Sequence, residues 1–158
     1  GGQRAGTTDK SWQFWNAIER QQTKTIYWWL RYGGMQLSTH QEDGYTCLHL
    51  AAFLAKPKSL RAIVNFRLPR RALRGEQRPV ASASFEELEL TTLDREEMTA
   101  FMLACDVGSI ACARILHSCG ASWDAESKQG LMAVDYARKG LMRDPESGRY
   151  QALLAWFE

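Results

Sequence analysis

No stretch of this 158-residue chain approaches the roughly 18 consecutive apolar residues of a membrane span, and no basic-then-apolar leader marks a secretory signal. It has no C-x-x-C pair, no glycine-rich phosphate loop, no serine nucleophile elbow and no paired-carboxylate site. The charge balance is nearly even, with 20 Lys+Arg against 18 Asp+Glu, so net charge says little about partners. These absences lead us to expect a soluble intracellular protein, cytoplasmic or nuclear, that is not an enzyme and takes no cofactor, metal or small-molecule substrate.

With 45% apolar and 24% charged residues the composition is that of an ordinary globular chain, long enough for one compact domain or a short repeat array. The chain opens Gly1-Gly2-Gln3 without an initiator methionine. It therefore reads as a domain cut from a longer polypeptide, with residues 1–10 a flexible leader and Gly1-Gly2 an expression scar. Cys47, Cys105, Cys112 and Cys119 fall in apolar, helix-like segments, which points to free thiols in a reducing compartment.

The chain repeats itself. Thr46-Cys47-Leu48-His49-Leu50-Ala51-Ala52 has an echo in Thr99-Ala100-Phe101-Met102-Leu103-Ala104-Cys105 and a fainter one in Met132-Ala133-Val134-Asp135-Tyr136-Ala137. The second and third copies lie 33 residues apart, while the first and second lie 53 apart, which is 33 plus an insertion of 20. The spacing from Gly44 to Gly130, 86 residues, obeys the same rule.

The segment Thr46-Cys47-Leu48-His49-Leu50-Ala51 resembles the T-P-L-H-x-A signature of the ankyrin repeat, departing only at Cys47, and Asp43-Gly44 precedes it as a turn dipeptide. Gly120-Ala121-Ser122-Trp123-Asp124-Ala125 is similar to that family's G-A-D-V-N-A tail. Shifting back by one period places a degenerate first helix at Phe14-Trp15-Asn16-Ala17-Ile18, with Gly34 as its tail glycine. The resemblance covers most of residues 11–158 and implies an all-α stack of about four helix-turn-helix repeats, interrupted after the second by a roughly 20-residue insertion. It also implies that Thr46 and His49 hold a helix start by hydrogen bonding.

Helical periodicity supports the same plan without the family name. Ile26, Trp29, Leu30 and Gly33 follow helical spacing after Thr23, a candidate cap, with Gly33-Gly34 as a left-handed stop. Leu60, Ile63, Val64 and Phe66 form a stripe after Pro57, and Ile110, Ala113, Ile115, Leu116 and Cys119 form another ending at Gly120. Asp144-Pro145 reads as cap and first turn of a last helix carrying Tyr150, Leu153, Leu154 and Phe157. Helices this short do not persist alone in water and must be stabilised by stacking.

Residues 67–93 break the period. Arg67, Arg70, Arg71, Arg74 and Arg78 are followed by an acidic stretch carrying Glu86, Glu87, Glu89 and Asp94, and Pro69, Gly75 and Pro79 argue for irregular structure. The segment reads as a solvated spacer, a partner-contacting element, or a basic patch (Arg70, Arg71, Arg74) for nucleic acid or another acidic ligand.

His49 as a general base lacks a carboxylate or nucleophile at a motif-defining spacing, so the helix-start role is the better reading. Cys105, Cys112 and Cys119, with His117 nearby, could suggest zinc, but helically spaced small thiols read as core packing. Among the aromatics, Trp15, Trp29 and Trp123 fall on presumed inward positions, with Trp156 in the closing helix. Trp28, beside Trp29, is the candidate for exposure.

Ankyrin stacks generally hold partners with their finger turns and the ends of their first helices. Carried over residue by residue, this designates Trp12, Tyr45, Met98 and Leu131 in the turns, and Phe53, Leu54, Asp106, Val107 and Lys139 at helix ends. Tyr45, Phe53, Leu54, Met98 and Val107 would form an apolar stripe, open to a partner or covered by the insertion. The function so implied is a monomeric protein-interaction module that binds a protein or peptide. The alternatives are a regulatory or substrate-presenting domain of a larger enzyme, and nucleic-acid binding through the insertion.

Overall fold

The computed structural model describes residues 10–37, 39, 41–67 and 97–158. Residues 1–9 of the expected leader and most of the expected 67–93 insertion, including Arg70, Arg71 and Arg74, lie outside the described residues. Among the described residues every regular element is an α-helix: α1 (Trp12–Glu19), α2 (Thr23–Arg31), α3 (Cys47–Phe53), α4 (Pro57–Arg67), α5 (Ala100–Val107), α6 (Ile110–Ser118), α7 (Ala133–Arg143) and α8 (Gly148–Phe157). The expected all-α class is the observed one.

The helices pair in chain order into four hairpins, α1–α2, α3–α4, α5–α6 and α7–α8. First helices pack on first helices, α1 on α3, α3 on α5 and α5 on α7; second helices follow suit, α2 on α4, α4 on α6 and α6 on α8. The result is a two-layer row with an inner and an outer file of helices. Alanine sets the inner spacing. Ala17, Ala51, Ala104 and Ala137, one per inner helix, are wholly buried, and a methyl group there lets neighbouring backbones approach closely.

One core runs the length of the row. Phe14, Ile18, Ile26, Leu60, Ile63, Phe101, Met102, Leu103, Leu116 and Leu153 are almost entirely enclosed, each stabilising by roughly 1.5–3 kcal/mol relative to exposure. Helices of 7 to 11 residues would fray without this shared burial.

The turn inside each of the first three hairpins is the same hydrogen-bonded closure. Gln21, Ala55 and Gly108 adopt left-handed backbone (φ 56°, 58° and 79°). The amide after each one donates to the carbonyl of the buried alanine five residues back: Gln22 to Ala17, Lys56 to Ala51 and Ser109 to Ala104, all at 2.9 Å. Only the third position is glycine.

Helix starts are capped locally. Thr46, Thr99 and Ser109 accept the backbone N–H of the residue three positions on, at 3.4, 3.1 and 3.2 Å. At α7 the pattern inverts, and the Met132 N–H donates to the Asp135 carboxylate at 2.9 Å. Two expected caps differ. Thr23 is the first residue of α2, with Gln22 at the cap position and no side-chain bond. Asp144 ends α7, and α8 starts only at Gly148 behind Ser147, because α7 runs a turn longer than its counterparts.

Candidate functional site

The turns that precede the inner helices are built by residues 86 positions apart. The Gln41 N–H donates to the Tyr45 carbonyl at 2.9 Å and the Gly44 N–H to Gln41 at 2.8 Å; Ser127 with Leu131, and Gly130 with Ser127, repeat both bonds at the same lengths. Gly44 and Gly130 sit at φ 92° and 77°, and the equivalent place before Thr99 is taken by Glu97 at φ 51°. Each turn thus delivers a side chain to the start of an inner helix: Tyr45, Met98 or Leu131.

The structure brings Tyr45 and Phe53 together. Their ring centroids lie 5.5 Å apart, and His49 lies between them along α3, its imidazole stacked 6.3 Å from Tyr45. His49 and Phe53, four apart, share one face of α3, and the turn before the helix sets Tyr45 beside it. Tyr45 is half-buried and Phe53 is 42% exposed, so the column ends in solvent. His49 is wholly buried, its Nδ1 2.7 Å from Thr46 Oγ1. The histidine is part of the helix start.

The other designated residues divide. Leu54, Val107 and Leu131 are half-buried, and Lys139 is exposed. Met98 is 6% exposed and belongs to the core, so the apolar stripe is broken there; its unbranched side chain turns inward where Tyr45 stays at the edge. Trp12 is 60% exposed but lies in the first turn of α1 behind Ser11, and so occupies no finger turn. Asp106 is engaged within the stack: its carboxylate is 3.3 Å from Arg143, and its carbonyl accepts the Tyr150 hydroxyl at 2.7 Å.

Trp123, expected inward, is 52% exposed. It stacks on Phe157 (6.3 Å, 15°) and meets His117 edge-on at 5.6 Å, at the border of an aromatic cluster that reaches Phe101 through Trp156. Trp15 and Trp29 are half-buried against the core, and Trp28 is 51% exposed, as the periodicity suggests. Trp123, Val134, Arg138, Leu154, Phe157 and Glu158 line an open depression of about 390 Å³, which the sequence did not announce. Its walls join the loop after α6 and the outer helix α8 to the inner helix α7, a conjunction that exists only after the chain has folded.

Charge is also segregated. Among the described residues the segments leading into α3, α5 and α7 carry Glu42, Asp43, Glu97, Asp124 and Glu126 against Lys128 alone. All six are exposed. Asp43 and Asp124 are in part committed locally, accepting the Tyr45 N–H at 3.0 Å and the Ser122 hydroxyl at 2.6 Å.

None of the four cysteines is in a disulfide. Burial pushes the Cys47 thiol up to about 12 and raises that of Cys112, the reverse of an activated nucleophile. Among the described residues no group of three His, Cys, Asp or Glu side chains is placed to hold a metal ion, and no helix there is long and apolar enough to cross a membrane. Compared with known proteins, the chain matches no family model and no curated protein.

Proposed function

We propose that the chain is an ankyrin-type repeat domain acting as a protein-interaction module, and that it holds an extended segment of a partner protein along its finger turns and inner helices. The resemblance is supported by the recurring turn of residues 41–45 and 127–131, by the Thr46–His49 pairing, and by the in-order packing of inner and outer helices. The observation that carries the functional reading is Phe53, an exposed phenylalanine beside Tyr45 on an inner helix, where packing does not require an aromatic ring. The acidic residues leading into α3, α5 and α7 favour a lysine- or arginine-bearing peptide, with an apolar anchor for Phe53.

The test is selection from a random peptide library on the whole chain and on Phe53→Glu. Enrichment of basic peptides with an aromatic or aliphatic anchor, lost in Phe53→Glu at unchanged melting temperature, supports the reading. Failure to enrich, or equal enrichment by the variant, refutes it.

A further inference from the structure

The outer file of helices has a charge pattern opposite to that of the turns. Helices α2, α4, α6 and α8 contain no aspartate or glutamate, although the chain has 18. Lys24, Arg31, Lys58, Arg61 and Arg114 project from three adjacent outer helices, all exposed, and form no ion pair among the described residues. On α2 the cations alternate with aromatics. Lys24, Tyr27, Trp28 and Arg31 stand at i, i+3, i+4 and i+7, one helical face, with Ile26 and Leu30 buried on the other.

The exposed rings of this face are tryptophan and tyrosine: Tyr27 is 38%, Trp28 51% and Tyr32 70% exposed. They are held in place. Trp28 meets Trp29 edge-on at 5.2 Å, and both indoles lie so close over Gly33 that an added methyl there would fall 2.9 Å from Trp28 and 2.4 Å from Trp29. The Arg31 guanidinium lies 5.7 Å from the Tyr32 ring centroid, and its Nε donates to the Tyr32 hydroxyl at 3.3 Å.

We propose that this outer face docks on an anionic phospholipid surface, the cations of α2, α4 and α6 meeting headgroups and the Trp28–Tyr32 end of α2 entering the interface. Amphipathic aromatics seat themselves at headgroup depth, and clustered lysine and arginine add attraction to acidic lipid, so one rigid face combines the two signals that stable attachment needs. Single-stranded nucleic acid also suits cations and aromatics, but base stacking wants open ring faces. Here Arg31 covers a face of Tyr32, and the cations spread over three helices as an area. The proposal is independent of the peptide-binding reading, which concerns the turns and inner helices.

The whole chain is floated with vesicles of phosphatidylcholine alone and with about 30% phosphatidylserine. The expected result is binding to the anionic vesicles only, weakening at least about tenfold between ~0.05 and ~0.5 M NaCl. Lys24→Glu with Arg31→Glu and Arg61→Glu is expected to lower partitioning at least about tenfold, and Trp28→Ala with Tyr32→Ala several-fold, both at unchanged helicity. Should the charge reversal fail to fold, Lys58→Gln with Arg61→Gln serves in its place. No flotation, equal binding to neutral vesicles, loss only on replacing Arg70, Arg71 and Arg74, or displacement by a single-stranded oligonucleotide would overturn the proposal.

Discussion

The hydroxyl of Tyr150 donates to the main-chain carbonyl of Asp106 at 2.7 Å, joining the last outer helix to the end of an inner helix in the preceding hairpin. Arg143 completes the junction, reaching the same carbonyl at 3.0 Å and the Asp106 carboxylate at 3.3 Å. The Tyr150 ring lies flush on Gly140, where an added methyl would fall 2.1 Å from the ring edge. The fourth hairpin is thus locked to the third by a tyrosine that needs a glycine beneath it.

Tyr150→Phe removes this hydrogen bond and leaves the ring in place, so a loss of about 1 kcal/mol is expected by urea unfolding. Gly140→Ala forces the ring out of position and is expected to cost more, roughly 1–3 kcal/mol. Equal, negligible effects would show that the junction contributes nothing to stability.

Thr46 caps α3 and contacts the buried His49 ring. Thr46→Val, close in shape but without the oxygen, is expected to destabilise by about 1–2 kcal/mol. Thr46→Ser should recover most of it, which separates the hydroxyl's role from that of the methyl group.

Ala55 is exposed and holds φ 58° in the turn whose counterpart is Gly108. Ala55→Gly relieves left-handed strain of about 1–2 kcal/mol and raises unfolded-chain entropy, for a net gain of a few tenths to about 1 kcal/mol. Gln21→Gly and Glu97→Gly should behave alike, whereas glycine at Ala51, in helical backbone, should destabilise. Thermal melts of the four variants check the contrast in sign.

Burial raises the Cys47 thiol from 9.0 to about 12. The folded state therefore holds this proton more tightly than the unfolded state. The stability tied to it is complete below pH 9.0 and is lost as pH climbs towards 12. Alkylation of Cys47 at pH 8–9 should proceed only as fast as the chain opens, and Cys47→Ala should flatten the alkaline fall in stability. Prompt alkylation of the native chain would contradict the burial.

Much of the fold was legible locally. The glycines at 44, 108, 120 and 130 and the hydroxyls at 46, 99 and 109 mark turns and helix starts, because a positive φ or an orphan N–H is satisfied within a few residues of chain. The site was legible only in part. Tyr45 and Phe53 meet because the turn before Thr46 lays the Tyr45 ring along α3, and nothing local distinguishes Met98, which turns into the core, from Tyr45, which stays at its edge. Trp123 misled because its ring finds Phe157 and His117, residues supplied by two other helices.

By itself the sequence determined the helical class, the beat of the turns and which helices lack acidic residues, since propensity, capping and composition act over one or two turns of chain. Only the tertiary structure decided that Asp106 is bound by Arg143 and Tyr150, and that the cations of α2, α4 and α6 share one file. Such relations depend on which helix lies beside which. Burial of a shared core sets that order, and no single helix is stable enough to settle it alone.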